Sequence, residues 1–482
     1  MATLGIEWCD AALRAASAEG SETRLLEVRD ALGRPDWPAF AFHDGTALHL
    51  GRSAEDQWFV HPRRVSHTFL ARLNHEPSAL NPSGKPLPFS ELAYHLAREF
   101  TLRASAELKP AKAVLAVPGS YLKDAATEEE KVGLLLGIAG ELHLPLAGVV
   151  DAAVAAMCSP DAPAVSSSLP VVVVDLLLDE AGLTLLRGRE QLARSGFAQL
   201  PGSGLAPLLR HLTSTMGNRF LRHTAFDILE DGRLEQAFFR QTKEFLLGAS
   251  ADFRYEISTG SRTYSMPAKR DQLAADSAAF AAGIVRGLRG LLEAAAEPAE
   301  PCTLALSHRA AAVPGLASRL QEAGFRRLVV LPEGAAATGA ARLGERTLRP
   351  AADLGDVPVL TSVPASLVRH PAGSKWEARV ARPTERSPQP PTHVAVDGVI
   401  HSLPTSGRIS VGEGLPLPAA FTTAEDCPLF LGWESGQLAL GNASGPEEPV
   451  RLATGDRVSV QCGGAGADLH VLHWPENPAR RP

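Results

Sequence analysis

The chain has 482 residues, too many for one hydrophobic core, so two to four domains are expected. Its composition, 45% hydrophobic and 21% charged, is that of a globular protein, and a net charge of -7 offers no basic footprint for nucleic acid or anionic lipid. No apolar run is long enough to span a bilayer, no basic stretch leads into an apolar one near Met1, and five scattered cysteines without a CxxC pair indicate neither a disulfide framework nor a zinc site; a cytoplasmic protein without membrane insertion is expected.

In chain order, Thr3–Ile6 reads as a short strand, with Ala11–Ala16 as its partner beyond the turn Trp8-Cys9-Asp10. Trp37–His43 and Ala47–Leu50 flank Asp44-Gly45, a hairpin signal. Apolar residues recur at helical spacing across Val65–Leu73 and Ser90–Leu102. Ala111–Val117 is a strand stopped by Pro118-Gly119, and Ala126–Leu142 is a helix whose acidic first turn suits its dipole. Pro145–Val150 leads into a helix at Asp151–Met157. Asp151 reads as its N-cap, with a base or metal ligand as the other reading.

Val171–Gly188 is the most strand-like stretch: four valines, Asp175, three leucines, then a second apolar run. It predicts a buried hairpin turning at Asp179–Gly182. Gly202-Ser203-Gly204 opens a helix at Leu205–Met216; such a turn is able to cradle phosphate on its amides and equally serves as an ordinary turn. Residues 219–250 and 272–296 read as helices around a strand-like Phe253–Ile257. Strands at Cys302–Leu306 and Leu328–Leu331 alternate with helices at Val313–Ala323 and Glu333–Leu343, an α/β pattern. Ser307-His308-Arg309 lacks a G-x-S-x-G elbow, and residues continuing a strand would face opposite ways, so no nucleophilic catalysis is read from it. Residues 346–392, with the proline-rich Arg382–Pro391, read as a linker, and 393–477 as a small all-β sandwich of short apolar segments between turns.

Seven stretches carry a resemblance: LGIEWCDAALRAA, FAFHDGTALHLGRSA, AVLAVPGSYLKD, PLAGVVDAAVAAMC, VVVVDLLLDEAGLTLL, LALSHRAAAVPGLASRLQEAG and LPEGAAATGAARLG. In that order they are similar to the segments of the ATPase domain of heat-shock-70 (DnaK-type) chaperones, of the actin-like ATPase superfamily. The resemblance covers residues 1–345 and implies an α/β fold of two mixed-sheet subdomains around a nucleotide cleft. For an active enzyme it implies ATP with Mg²⁺, Asp175, Glu7 and Asp151 as catalytic groups, and Glu7 and Asp175 at the metal. It also implies Lys243, Gly202, Ser203, Gly204 and Ser307 around the nucleotide.

The sequence departs from that family where phosphate would bind. Its first phosphate turn reads Glu7-Trp8-Cys9-Asp10-Ala11. The glycines of the second are replaced by Leu176, Leu177 and Leu178, followed by Asp179 and Glu180, and the adenosine loop reads Leu306-Ser307-His308. Leucines block the close backbone approach that glycine permits, and added carboxylates repel a triphosphate. Arg240 and Leu247 flank Lys243 where the family has an acid and a serine, and Arg72 is the cation nearest its catalytic lysine. The expectation is therefore a non-catalytic pseudo-ATPase without cofactor, with Trp8 filling nucleotide space. It would act as a protein-interaction scaffold or chaperone-like adaptor; the alternative is a divergent ATPase that binds and slowly hydrolyses Mg-ATP. The C-terminal sandwich resembles a forkhead-associated domain through VDGVIHSLP, GRISVGEG and PVRLATGDRVSV, with Glu413 standing where that family places its phosphate-binding arginine. GLPLPAAFTTAEDCPLFLGWESG resembles the opening strands of the chaperones' substrate domain, and both relatives stay open.

Overall fold

A computed structural model describes residues 2–30, 33, 35, 37–81, 85–105, 108–163, 169–188, 190–248, 250–260, 262–297, 302–368, 377–383, 389–396, 399–403, 408–410, 429–434, 437–442, 450–462 and 465–473. The chain divides into two units, Met1–Ala162 with Leu169–Val368, and Pro163–Ser168 with Arg369–Pro482.

The larger unit is mixed α/β. Its first half begins with an antiparallel meander of β1 (Thr3–Glu7), β2 (Arg14–Glu19) and β3 (Glu22–Leu26). A small sheet follows, with β4 (Ala41–His43) and β5 (Leu48–Leu50) paired around Asp44-Gly45, the short helix α1 (Arg52–Glu55), and β6 (Val65–Ser66) against β4. The helical pattern from Val65 resolves into β6 and a single turn, α2 (Phe69–Arg72), while α3 (Phe89–Ala104) is a full helix. Next, β7 (Lys112–Val117) lies parallel to β1, and α4 (Ala125–Glu141) crosses over to β8 (Leu146–Asp151), parallel to β7. The short α5 (Ala152–Met157) closes this half.

The second half repeats the scheme. It starts with a meander of β9 (Val171–Leu176), β10 (Glu180–Arg187) and β11 (Gln191–Pro201). Helices α6 (Leu205–Thr224) and α7 (Gly232–Leu247) lead to a hairpin of β12 (Asp252–Thr259) and β13 (Arg262–Lys269), then α8 (Arg270–Asp276) and α9 (Ala278–Ala294). β14 (Thr303–Leu306) runs parallel to β9; after α10 (His308–Ala312) and α11 (Leu316–Glu322), β15 (Arg327–Val330) runs parallel to β14. Last come α12 (Ala335–Thr347), β16 (Val359–Leu360) and β17 (Ser362–Pro364). The six-stranded sheets have the orders β16-β8-β7-β1-β2-β3 and β15-β14-β9-β10-β11-β17. Without the edge strands β16 and β17 they share one topology: a meander with two parallel strands added beside its first strand.

Three local outcomes matter for the site. The β9–β10 turn falls at Leu177-Leu178-Asp179 rather than Asp179–Gly182, because Ala181 already pairs with Leu176. Leu176, Leu177 and Leu178 are all buried, and burying a leucine is worth roughly 1.5–3 kcal/mol, more than local turn preference. α12 rests on β1 and α5 through glycines: a Cβ on Gly339 would stand 1.7 Å from Ala155 O, and one on Gly5 2.2 Å from Ala337 O. Within the span read as linker, β16 extends the first sheet beside β8 and β17 extends the second beside β11. Residues 384–388 of its proline-rich run lie outside the described residues.

Every described strand of the second unit is antiparallel to its neighbours. One sheet joins Glu377–Ala381, Arg457–Cys462, Ala465–Leu472, His393–Val396 and Val399–Ser402, and the other Arg408–Ser410, Leu429–Glu434, Gln437–Asn442 and Val450–Leu452. Glu413 and the stretch 411–428 lie outside the described residues. Among the described residues no helix is long and apolar enough to cross a membrane.

Candidate functional site: an acid–arginine–acid bridge between the sheets

β1 and β9 occupy equivalent places in the two sheets, and each carries an acid at its C-terminal end, Glu7 and Asp175. Arg309 stands between them. β14 ends at Leu306, and Ser307 caps α10, its Oγ accepting from Ala310 N–H at 3.2 Å. Ser307-His308-Arg309 is therefore a helix start and not a continuing strand. Arg309 Nη2 donates to Glu7 Oε1 at 2.8 Å and to Asp175 Oδ1 and Oδ2 at 3.2 and 3.4 Å.

Arg309 is only 4% exposed, and its Nε and Nη1 have no hydrogen-bond partner among the described residues. Burial pushes the Asp175 carboxyl up, but the Arg309 guanidinium and a hydrogen bond from Ser307 outweigh it and hold Asp175 below its ordinary value. Burial likewise opposes the Arg309 charge, and the facing carboxylates hold the guanidinium above its own. Two acids facing across a cleft are what a hard divalent cation coordinates. Here a buried guanidinium lies within hydrogen-bond distance of both, so these residues do not fit a metal ion.

Little space remains beside the bridge. A cavity of about 40 Å³ opens onto Glu7, Asp175 and Arg309, walled by Ala153, Gly182 and Phe197 among others. That is room for about two or three waters, against roughly 300–1,000 Å³ for a ligand pocket.

The β9–β10 turn is also satisfied from within. Leu178 N–H donates to Asp10 Oδ1 at 2.8 Å, so a carboxylate of the first turn sits on an amide of the second. Leu177 N–H goes to Glu180 O, and the first amides of α6, Leu205 and Ala206, go to Leu177 O and Leu178 O at 3.0 and 2.7 Å. Asp10 is 4% exposed; burial, with the nearby Asp179 and Glu180 carboxylates and despite the Leu178 hydrogen bond, pushes its carboxyl up to about 7. Trp8 is buried in the core of the first sheet, its indole Nε1–H donating to Tyr121 Oη at 3.2 Å, and Tyr121 Oη–H donating to Leu70 O.

Of the residues singled out from the sequence, Glu7, Asp175 and Ser307 meet at this cleft. Asp151 is the N-cap of α5, accepting from Ala153 N–H at 2.8 Å and pairing with Arg194 at 2.9 Å; burial, opposed by Arg194, raises its carboxyl. Its neighbours Ala152 and Ala153 line the cavity. Lys243 is placed elsewhere, its Nζ bound to both oxygens of Glu55 at 2.8 and 3.0 Å, with Arg52 on the same carboxylate at 2.6 Å. Gly202, Ser203 and Gly204 do not line the cavity either. Gly202 N–H is tied to Asp179 O and Ser203 N–H to Leu200 O, and Gly204 is pressed against the Leu178 and Glu180 backbone. Arg72 lies over the Phe89 ring, 5.7 Å from its centroid.

Nothing in the sequence pattern marks Arg309 as a site residue: it is a lone cation between a buried strand and an alanine run, LALSHRAAA. No family model matches the chain, and no curated protein matches it.

Proposed function

We propose that the larger unit is an actin-like domain of the heat-shock-70 type that has exchanged its nucleotide for its own side chains. The protein then works without catalysis, through protein partners, as a scaffold or chaperone-like adaptor. The repeated sheet topology, with acid-bearing first strands facing one cleft, supports the actin-like reading. The observation that carries the loss of catalysis is the Glu7–Arg309–Asp175 bridge, because a fixed internal cation takes the place a nucleotide-bound metal would need. Asp10, accepting from the Leu178 amide, adds an internal acceptor on the other turn. A cleft whose acids already share an internal cation offers no place for the metal of Mg-ATP.

For the second unit, the turn before Arg457–Cys462 supports a forkhead-associated-like reading: Gly455 has φ +96° and Asp456 Oδ2 accepts from Ala453 N–H at 2.9 Å.

Titration calorimetry and a phosphate-release assay with millimolar Mg-ATP test the proposal. Neither heat of binding nor turnover is expected. Micromolar binding with turnover that disappears in Asp175→Asn overturns it in favour of a divergent ATPase.

A further inference from the structure

The outer face of α3 forms one side of an open groove. Tyr94, Arg98, Thr101, Leu102 and Ser105 fall on one stripe of that helix, about 16 Å long, and the segments 108–110 and 141–145 close the other sides. The groove encloses about 590 Å³, within the roughly 300–1,000 Å³ of small-molecule sites. Leu102, 63% exposed, is the most exposed large apolar side chain among the described residues, and half-buried Leu108, Leu142 and Leu144 share the groove with it. An isolated exposed leucine calls for no explanation, but four leucines on one concave surface offer an apolar body a place to bury itself.

Charge narrows the choice of occupant. Arg98 and Lys109 stand exposed on the rim, and neither has an ion-pair partner among the described residues. The end of α4 does not need them, because the N–H groups of Leu142, His143 and Leu144 already cap Ile138 O, Gly140 O and Ala139 O. Against these two cations the described lining holds one acid, Glu141, in a chain whose net charge is -7. His143 takes a left-handed φ of +52°, where glycine ordinarily ends a helix, and so keeps an imidazole on the rim. A cationic ligand meets Arg98 and Lys109, and the second charge of a dianion meets Glu141. We propose that this groove binds a monoanionic aliphatic carboxylate, its head accepting hydrogen bonds from Arg98 and Lys109 and its chain lying across Leu102, Leu108, Leu142 and Leu144.

The test uses one chain length with different head groups: octanoate (anionic), 1-octanol (neutral) and octylamine (cationic). The full-length protein, with ¹³C-labelled leucine methyls, is titrated to millimolar ligand. The resonances of Leu102 and Leu142 are assigned by their loss in Leu102→Met and Leu142→Met. Octanoate is expected to shift both saturably, octanol to bind at least about tenfold more weakly, and octylamine to leave both unmoved.

The double variant Arg98→Gln with Lys109→Gln supplies the charge control. Both side chains are exposed and lie outside the core, so the fold accommodates the change. Its octanoate affinity is expected to fall to the level of octanol, while octanol binding stays as it was. Leu102→Asn, also at an exposed position, is expected to weaken both ligands. No saturable shift with octanoate, equal affinity for the three ligands, unchanged octanoate binding in the double variant, or equal shifts in leucine methyls throughout the protein overturns the proposal. The groove shares no lining residue with the cavity at Arg309, so this titration and the Mg-ATP assay succeed or fail separately.

Discussion

Replacing Arg309 by methionine leaves Glu7 and Asp175 facing each other in the cleft with no counter-charge. Methionine keeps much of the side-chain volume, so the loss is electrostatic more than steric. Arg309 is almost fully buried and donates to three carboxylate oxygens, and breaking a buried pair from one side costs about 3–5 kcal/mol. The pH dependence follows from Asp175, whose carboxyl lies below its ordinary value while Arg309 is present. Its ion-pair stabilisation is fully present above the unfolded value of about 4 and is lost as pH falls through the lower folded value.

In the variant, burial acts on Asp175 without the guanidinium, so its carboxyl takes up a proton at higher pH. The deficit should be greatest near pH 7.5 and narrower near pH 4.5. Urea unfolding followed by tryptophan fluorescence and far-ultraviolet circular dichroism at both pH values measures it. A triple variant, Arg309→Met with Glu7→Gln and Asp175→Asn, removes the unpaired charges and should recover much of the loss. A single-variant cost below about 1 kcal/mol, a deficit equal at both pH values, or a triple variant no better than the single would refute the reasoning.

Other outcomes follow from the same geometry. Asp10, pushed up to about 7 by burial, binds its proton more tightly folded than unfolded, so its contribution falls as pH rises from about 4 to 7. Asp10→Asn keeps an acceptor for Leu178 N–H and should remove about 4 kcal/mol of that pH dependence, read from urea midpoints across the range. Lys243→Ala strips one cation from the buried Glu55, leaving Arg52; a loss of about 1–3 kcal/mol is expected in the same assay, with no change in the response to Mg-ATP. Gly339→Ala drives a methyl into Ala155 O and should cost at least about 2 kcal/mol, whereas an unchanged urea midpoint would show that α12 is not seated as described.

The second unit and the first differ in how much of them was legible. Alternating apolar segments and turn residues announced the antiparallel strands described in the second unit, since strand period and turn chemistry are local properties. The same holds in the larger unit for the Asp44-Gly45 hairpin, for the Asp151 N-cap and for the strand–helix alternation after Cys302. β11 and β13 were not legible: Gln191–Pro201 and Arg262–Lys269 are only partly buried, and what makes them strands is a neighbour to pair with.

The valines of Val171–Gly188 predict its hairpin, but local chemistry alone places the turn too late. Local chemistry favours Asp-Glu-Ala-Gly as a turn, while burial of Leu177 and Leu178 beneath α6 shifts it two residues toward the N-terminus. The site divides along the same line. Sequence by itself determined that acids end the first strands and that Leu176, Leu177 and Leu178 follow the second of them. That Arg309 is the group neutralising those acids was decided by tertiary structure alone. Glu7 and Arg309 are 302 positions apart, and a charge's partner across such a separation is set by how the two sheets face each other, not by any periodicity in the chain.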